Sequence, residues 1–215
     1  MPQNKTFIFN DKIVLLLSAL VAIITFTISG FFIRFQVTLN DFWGVLYYAK
    51  HLSISEPASL YNGFFPIGYP FLLRFIPYSY VTYFAFILNI AFAGLFVGWI
   101  SSLFFLMKKS TWGLVTVVLV TIFYPLIFHY ANSVSPDIGA AAFSIGGIYF
   151  LWRNEFQDNE TNHQTRNNIL AGLLFGFSAL FRSHGIISSA AILLAYTAVM
   201  GIRKIWMKKA VPITL

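Results

Sequence analysis

The stretch YVTYFAFILNIAFAGLFVGWISSLFFLM, residues 80–107, contains 28 residues and no charged side chain. A helix that crosses the hydrocarbon core of a bilayer needs about 20 predominantly apolar residues. This stretch is longer than that minimum, and a longer helix is accommodated in the bilayer by tilting. It therefore predicts a membrane-spanning helix.

Five other apolar segments accompany it in a 215-residue chain that is 58% hydrophobic and only 10% charged. Soluble domains carry roughly 25% charged residues, so this composition indicates a chain surrounded by lipid. We predict a single membrane domain over residues 1–215, an all-α polytopic transmembrane bundle of about six spans. The third to fifth segments are short, so one of them is a candidate for a partial or re-entrant span. The six predicted spans are residues 13–33, 80–107, 113–128, 138–152, 169–181 and 185–202.

Positive charge is distributed unevenly between the two sides of this arrangement. With the N-terminus inside, ten Lys and Arg residues fall on the inner side and four on the outer side. Cytoplasmic loops are enriched in Lys and Arg, so we expect both termini in the cytoplasm. The expected location is multi-pass in a membrane, the plasma (inner) membrane if the source is bacterial. The net charge of +7 lies at the ends of apolar runs, which argues against a nucleic-acid partner.

The connections between the spans differ in character. Residues 153–168 form a polar cytoplasmic linker, whereas residues 34–79 form a long outer loop with many apolar residues. Apolar residues in this loop follow the spacing of an amphipathic helix, which we expect to lie in the outer interface. The apolar residues with this spacing are Phe42, Val45, Leu46, Ala49 and Leu52. The Pro/Gly-rich segment GFFPIGYP, residues 63–70, then predicts a turn.

Asp41 precedes this amphipathic pattern, just beyond the first span. A carboxylate at the membrane surface can accept a proton from an acceptor hydroxyl. The alternative is structural, because Thr38-Leu-Asn-Asp41 matches a capping box in which an acidic side chain reaches back to the N-cap amide. The spacing alone leaves both interpretations open.

Two further outer-side positions are candidates for chemistry. Asp137 follows Pro136 at the start of the fourth segment, where an acid is either functional or part of ordinary helix initiation. Arg182 and His184 lie between the fifth and sixth segments. A guanidinium binds phosphate bidentately, so Arg182 is a candidate for a lipid phosphate, with snorkelling to headgroups as the alternative. The chain has no Cys and no metal or nucleotide motif, so we predict no cofactor and leave a divalent metal open.

The order of these features resembles the GT-C superfamily of membrane glycosyltransferases. That group includes the protein O-mannosyltransferases, the aminoarabinose transferases and the GPI-anchor mannosyltransferases. FFPIGYP, residues 64–70, is similar to the Phe-Phe-Pro-x-Tyr-Pro element of the last group, with Gly68 as an extra residue. SPDIGAAA, residues 135–142, resembles a segment with an acid before a small-residue helix. LFRSHG, residues 180–185, resembles an Arg-Ser-Asn-Gly element, with His in place of Asn.

The resemblance implies transfer of a hexose, mannosyl in type, from a polyprenyl-phosphate donor to an acceptor hydroxyl on the outer membrane face. The reaction it implies is a single inverting displacement, with Asp41 as catalytic base. Arg182 would steady the departing lipid phosphate. The substrate-binding residues that it implies are Arg182, His184, Asp137, Tyr69 and Pro66.

Enzymes of this family commonly have more spans and longer chains. We therefore expect an N-terminal fragment of a longer enzyme, or a shortened relative that needs a membrane protein partner. A non-catalytic membrane subunit or scaffold is the main alternative. A small transporter or flippase is less favoured, because transport sites lie near the midplane and the ionisable residues here cluster near the membrane surfaces.

Overall fold

A computed structural model of the protein describes residues 10–33, 39–51, 66–156 and 161–210, with side chains at all of these except 33, 39–41, 156, 161–162 and 201–210. These ranges form nine helices and contain no β-strand, which confirms the all-α prediction for the described part of the chain. The helices are α1 (Asp11–Ile33), α2 (Leu39–His51), α3 (Gly68–Arg74), α4 (Val81–Lys108), α5 (Thr111–Phe123), α6 (Pro125–Ala131), α7 (Asp137–Phe156), α8 (Thr161–Phe181) and α9 (Ser183–Ala210).

Helix α4 is the centre of the bundle and packs against α1, α5, α6 and α7. Its contact with α1 is close because Gly94 and Gly98 face that helix. A Cβ added at Gly98 would lie 2.9 Å from the carbonyl oxygen of Leu15. Small residues four positions apart allow helix backbones to approach one another in membranes, so these glycines fix how α1 and α4 pack.

Within the described residues, three helices are long and apolar enough to cross a membrane: α1 over residues 11–32, α4, and α9 over residues 183–200. Helices α5 and α6 qualify together as a pair bent by 61°, which makes four if the pair is one span. Pro125 explains the bend, since it has no amide hydrogen to donate and holds Tyr124 in an extended conformation.

The prediction of about six membrane spans is not confirmed, because only three helices, or four with the bent pair, meet the requirements of length and hydrophobicity in the described part of the chain. The predicted segments at 138–152 and 169–181 do lie within helices α7 and α8, which pack against each other. Neither helix is apolar enough along its length to qualify as a span, because α7 ends and α8 begins with polar residues.

The polar linker expected at 153–168 is mostly helical. Helix α7 continues to Phe156 and α8 begins at Thr161, while residues 157–160 lie outside the described part. Asn154 joins the two helices, because it donates to Asn168 at 2.8 Å and accepts from Asn167 at 2.9 Å. Hydrogen bonds between side chains thus hold the polar end of α7 against the polar start of α8.

The outer-loop helix predicted from residues 42–52 is present as α2. Its apolar face is buried, at Phe42, Val45, Leu46 and Ala49, and Trp43 and Tyr47 on the opposite side are half exposed. Leu52 lies outside the described residues. The buried face packs against α3, which begins at Gly68 inside the segment expected to form a turn. Lys50 of α2 donates a hydrogen bond to the carbonyl oxygen of Ile76 beyond α3.

Candidate functional site

Asp137 and Arg182 form an ion pair at one end of the bundle. Asp137 is the first residue of α7, and Arg182 directly follows α8. The pair is bidentate: Arg182 Nε donates to Oδ1 at 2.7 Å and Nη2 donates to Oδ2 at 2.8 Å. Such charge-assisted pairs fix the orientation of both groups. The Arg182 side chain keeps 21% of its surface exposed and the Asp137 side chain 32%, so the pair is only partly shielded from solvent.

Two other residues act on the Asp137 carboxylate. The Ser135 hydroxyl donates to Oδ2, and Ser135 Oγ in turn accepts from the Asp137 amide at 3.2 Å. Burial by itself raises the pKa of Asp137, but the hydrogen bonds from Arg182 and Ser135 and the nearby charges of Arg182 and His184 outweigh it. The pKa of Asp137 therefore lies below its usual range, and the group is a fixed carboxylate rather than a proton carrier near neutral pH.

Tyr69 of α3 is connected to this pair through Asn89 of α4. Tyr69 is 1% exposed and donates from its hydroxyl to Asn89 Oδ1 at 2.7 Å. Asn89 Nδ2 donates in turn to the carbonyl oxygens of Ser133 at 2.6 Å and Ser135 at 2.9 Å. Burial raises the pKa of the Tyr69 phenol, so it acts as a neutral donor. The network therefore runs from α3 through α4 to Ser135, the residue that hydrogen-bonds Asp137.

Helix α3 also contacts the end of α8 directly. The ring of Tyr69 packs edge-on against Phe181, with 5.8 Å between ring centroids. A Cβ added at Gly68 would lie 2.6 Å from the carbonyl oxygen of Leu180, so only glycine fits there without a shift of the backbone. This contact gives a physical reason for a glycine directly before Tyr69.

The structure brings together most of the predicted site residues. Tyr69, Asp137 and Arg182 belong to one set of contacts, and His184 is close enough for its charge to act on Asp137. Pro66 lies two residues before α3 and is half-buried. Asp41 lies in the first turn of α2, but its side chain is outside the described part, so its catalytic or capping role stays a prediction.

Sequence reasoning missed Asn89, the residue that joins these elements. Its side chain is fully buried in the first third of α4. An amide inside an otherwise apolar span is a known means of joining helices within a membrane. A lone Asn in residues 80–107 was therefore the available signal, although the sequence gives no indication of its partners.

A mainly apolar cavity of about 780 Å³ lies between α1 and α4. Its walls include Ile23, Phe31 and Ile87, and hydroxyl groups come from Ser79 and Thr82. The residues that line the cavity come from the end of α1 and the start of α4, and Asn89 lies in the same part of α4. It is therefore at the same end of the bundle as the Asp137–Arg182 pair.

Among the residues that the structure describes, no three His, Asp or Glu side chains are grouped closely enough to hold a metal ion. The chain matches no protein-family model, no curated protein and no solved structure. Its family and its activity therefore stay proposals based on its own residues.

Proposed function

We propose that this chain is a GT-C-type membrane glycosyltransferase, or the N-terminal membrane module of one. It moves a hexosyl group, mannosyl in type, from a polyprenyl-phosphate donor to an acceptor hydroxyl on the outer membrane face. The observation that supports this most is the convergence of Tyr69, Asp137 and Arg182. These residues come from the three separate segments that resemble the family, and they meet at one end of the bundle.

The proposed topology has six spans with both termini in the cytoplasm. Asp137 and Arg153 lie 16 positions apart on α7. At about 1.5 Å of rise per residue they are about 24 Å apart along the helix axis, comparable to the thickness of a hydrocarbon core. An ion pair at each end of α7 supports a crossing by this helix, because charged groups are then kept out of the apolar layer.

In the proposed reaction Arg182 steadies the phosphate of the donor lipid. Asp137 holds the guanidinium in one orientation, which lowers the conformational entropy lost when a ligand binds. The part of the Arg182 side chain that remains exposed is where a phosphate would contact it. The cavity between α1 and α4 is apolar enough to hold part of an isoprenoid chain.

Asp41 is the proposed base that takes the proton from the acceptor hydroxyl. Its helix α2 packs on α3, and α3 contacts Leu180 at the end of α8. This chain of contacts supports a position for Asp41 on the same side of the membrane as Arg182.

The test is transfer of sugar from a polyprenyl-phosphate donor by membranes that contain the full protein. Asp41→Asn is expected to lower the rate by about 100-fold or more, since general bases contribute on the order of 10²–10⁴. Asn40→Ala is the matched control on the same turn and is expected to keep most of the activity. Full activity in Asp41→Asn would remove this residue from the mechanism, and efficient use of a nucleotide sugar by the purified chain would contradict the lipid donor.

A non-catalytic membrane subunit is the second candidate. The bidentate contact with Asp137 favours it, because that contact is sufficient to explain Arg182 as a clamp between α7 and α8. The exchange Asp137→Arg with Arg182→Asp separates the two functions. A scaffold should recover its stability and its function in the exchanged protein, whereas an enzyme should recover stability and lose transfer, because the guanidinium has moved.

A further inference from the structure

A second cavity, of about 420 Å³, lies at the opposite end of α7 from Asp137. Helices α1, α4, α7 and α8 each contribute to its lining. Aromatic and aliphatic side chains form much of the wall, among them Trp99, Phe150 and Leu170. Three cationic side chains complete it: Lys12, Arg153 and Arg166.

Arg153 is the buried cation of this cavity, with only 8% of its side chain exposed. Its Nε lies 3.1 Å from Asp11 Oδ2, but the angle is not that of a hydrogen bond, and no other described residue accepts from this N–H. The Tyr149 hydroxyl donates to the same Asp11 oxygen. A buried donor without an acceptor is costly, so an additional acceptor in the cavity would stabilise Arg153.

The charges around the cavity favour an anion. Three cationic side chains line it, and Asp11 is paired with one of them, Arg153. Lys12 and Arg166 are exposed, so they can reach a ligand from the surface, while Arg153 lies deeper. A small inorganic anion would use only the cations. The aromatic and aliphatic wall gives contact area to a ligand that also carries hydrocarbon.

We infer that this cavity binds an anionic phospholipid of the surrounding leaflet. The phosphate group contacts Lys12 and Arg166 and supplies an acceptor towards Arg153, and the first part of an acyl chain lies along Trp99 and Leu170. Guanidinium groups suit this ligand because their N–H donors match phosphate oxygens. The inference requires only a bilayer around the protein and is independent of sugar transfer at the other end of α7.

The experiment is native mass spectrometry of the full chain after equilibration with equal amounts of phosphatidylglycerol and phosphatidylcholine. The wild-type protein is expected to retain phosphatidylglycerol preferentially. Arg166→Gln and Lys12→Gln are each expected to reduce its retention about fivefold, the contribution of one basic residue near an anionic lipid surface. Lys108→Gln is the matched control, because Lys108 is exposed on α4 and does not line the cavity. Equal retention of the two lipids by the wild type would overturn the inference.

Two further measurements distinguish the cavity from simpler attractions. Leu170→Trp keeps every charge and fills the cavity, so it should also lose the retained phosphatidylglycerol. Unchanged retention in that variant would overturn the inference, because it would assign the effect to the basic surface as a whole. Millimolar inorganic phosphate should leave the lipid bound. Displacement by phosphate alone would indicate a free-anion site instead and would equally overturn the lipid assignment.

Discussion

The two ends of α7 each hold an Asp–Arg pair, but the pairs lie in different surroundings. Asp137 and Arg182 contact each other bidentately and remain 32% and 21% exposed. Asp11 and Arg153 make a single contact and are 10% and 8% exposed. The same chemical pair therefore has two environments: at the Asp137 end the guanidinium is held in one orientation and partly solvated, and at the Asp11 end a buried charge lies beside its counter-charge.

Burial explains why the two pairs should respond differently to mutation. Removing one partner of a buried pair leaves an uncompensated charge, whereas removing one partner of an exposed pair leaves a charge that water can solvate. The polar groups around Asp137 are also joined to α3 and α4 through Asn89, so that end of the bundle depends on a network rather than on the pair alone.

The largest effect is expected for Asp11→Ala, which leaves Arg153 buried without its carboxylate. The free energy of unfolding should fall by about 3–5 kcal/mol, the range measured for broken buried pairs. The measurement is denaturant titration in detergent micelles, followed by tryptophan fluorescence. The double variant Asp11→Leu with Arg153→Met should recover most of the loss. If Asp11→Ala alone costs no more than Asp137→Asn, the two ends do not differ as described.

Asn89→Leu tests the network at the Asp137 end. It removes the acceptor of the Tyr69 hydroxyl and the donor to two backbone carbonyls. The free energy of unfolding should therefore fall by about 2–3 kcal/mol. Tyr69→Phe removes one hydroxyl and should cost about 1 kcal/mol by the same principle. The same titration measures both. Equal costs for the two variants would show that Asn89 does not connect the elements.

Gly68→Ala tests the close contact between α3 and α8. The added Cβ would meet the carbonyl oxygen of Leu180 at 2.6 Å, and such overpacking typically costs about 1–3 kcal/mol. Gly172→Ala on α8 is the matched control, because its Cβ would meet nothing within 4 Å. That control should be neutral or stabilising by about 0.5–1 kcal/mol, since alanine favours a helix more than glycine does. Thermal unfolding of the two variants side by side distinguishes these outcomes.

The smallest effect is expected for Asp137→Asn. It should lower the free energy of unfolding by about 1 kcal/mol or less, because the Asp137–Arg182 pair is partly solvated. Its pH dependence is more informative. The pKa of Asp137 is lowered in the folded protein, so its contribution is present above the pKa of an unfolded Asp and is lost as the pH falls through the lowered value. The melting temperatures of wild type and variant should therefore converge in acid. A gap that persists or widens there would show that the folded state does not lower this pKa.

The helices themselves were largely predictable from the sequence, for local reasons. The spacing of Phe42, Val45, Leu46 and Ala49 predicted the buried face of α2, because helical periodicity depends only on neighbouring residues. The break at Pro125 was not predicted: residues 113–128 were expected to form one continuous span, but the structure divides them into α5 and α6, bent by 61°. The cause is local, since proline has no amide hydrogen to donate and disfavours a helical residue before it. The linker at 153–168 was predicted less well, since polar residues there form helix ends joined by Asn154, Asn167 and Asn168.

The candidate site was predictable as a set of residues but not as a set of contacts. Tyr69, Asp137 and Arg182 were identified from their segments, yet the sequence did not indicate that Asp137 and Arg182 bind each other. Nor did it indicate that Asn89 connects Tyr69 to the segment before α7. Both contacts depend on how helices are rotated about their axes, which residues distant in sequence settle together.

The sequence by itself determined that the chain is helical, where its apolar segments lie and which face of α2 is buried. These properties follow from hydrophobicity and backbone chemistry within a few turns of each residue. Only the tertiary structure decided that Arg153 is compensated by Asp11 and Arg182 by Asp137. Each pair joins helices from different parts of the chain, and the choice of partner depends on the separation and the register of packed helices, which local sequence does not specify.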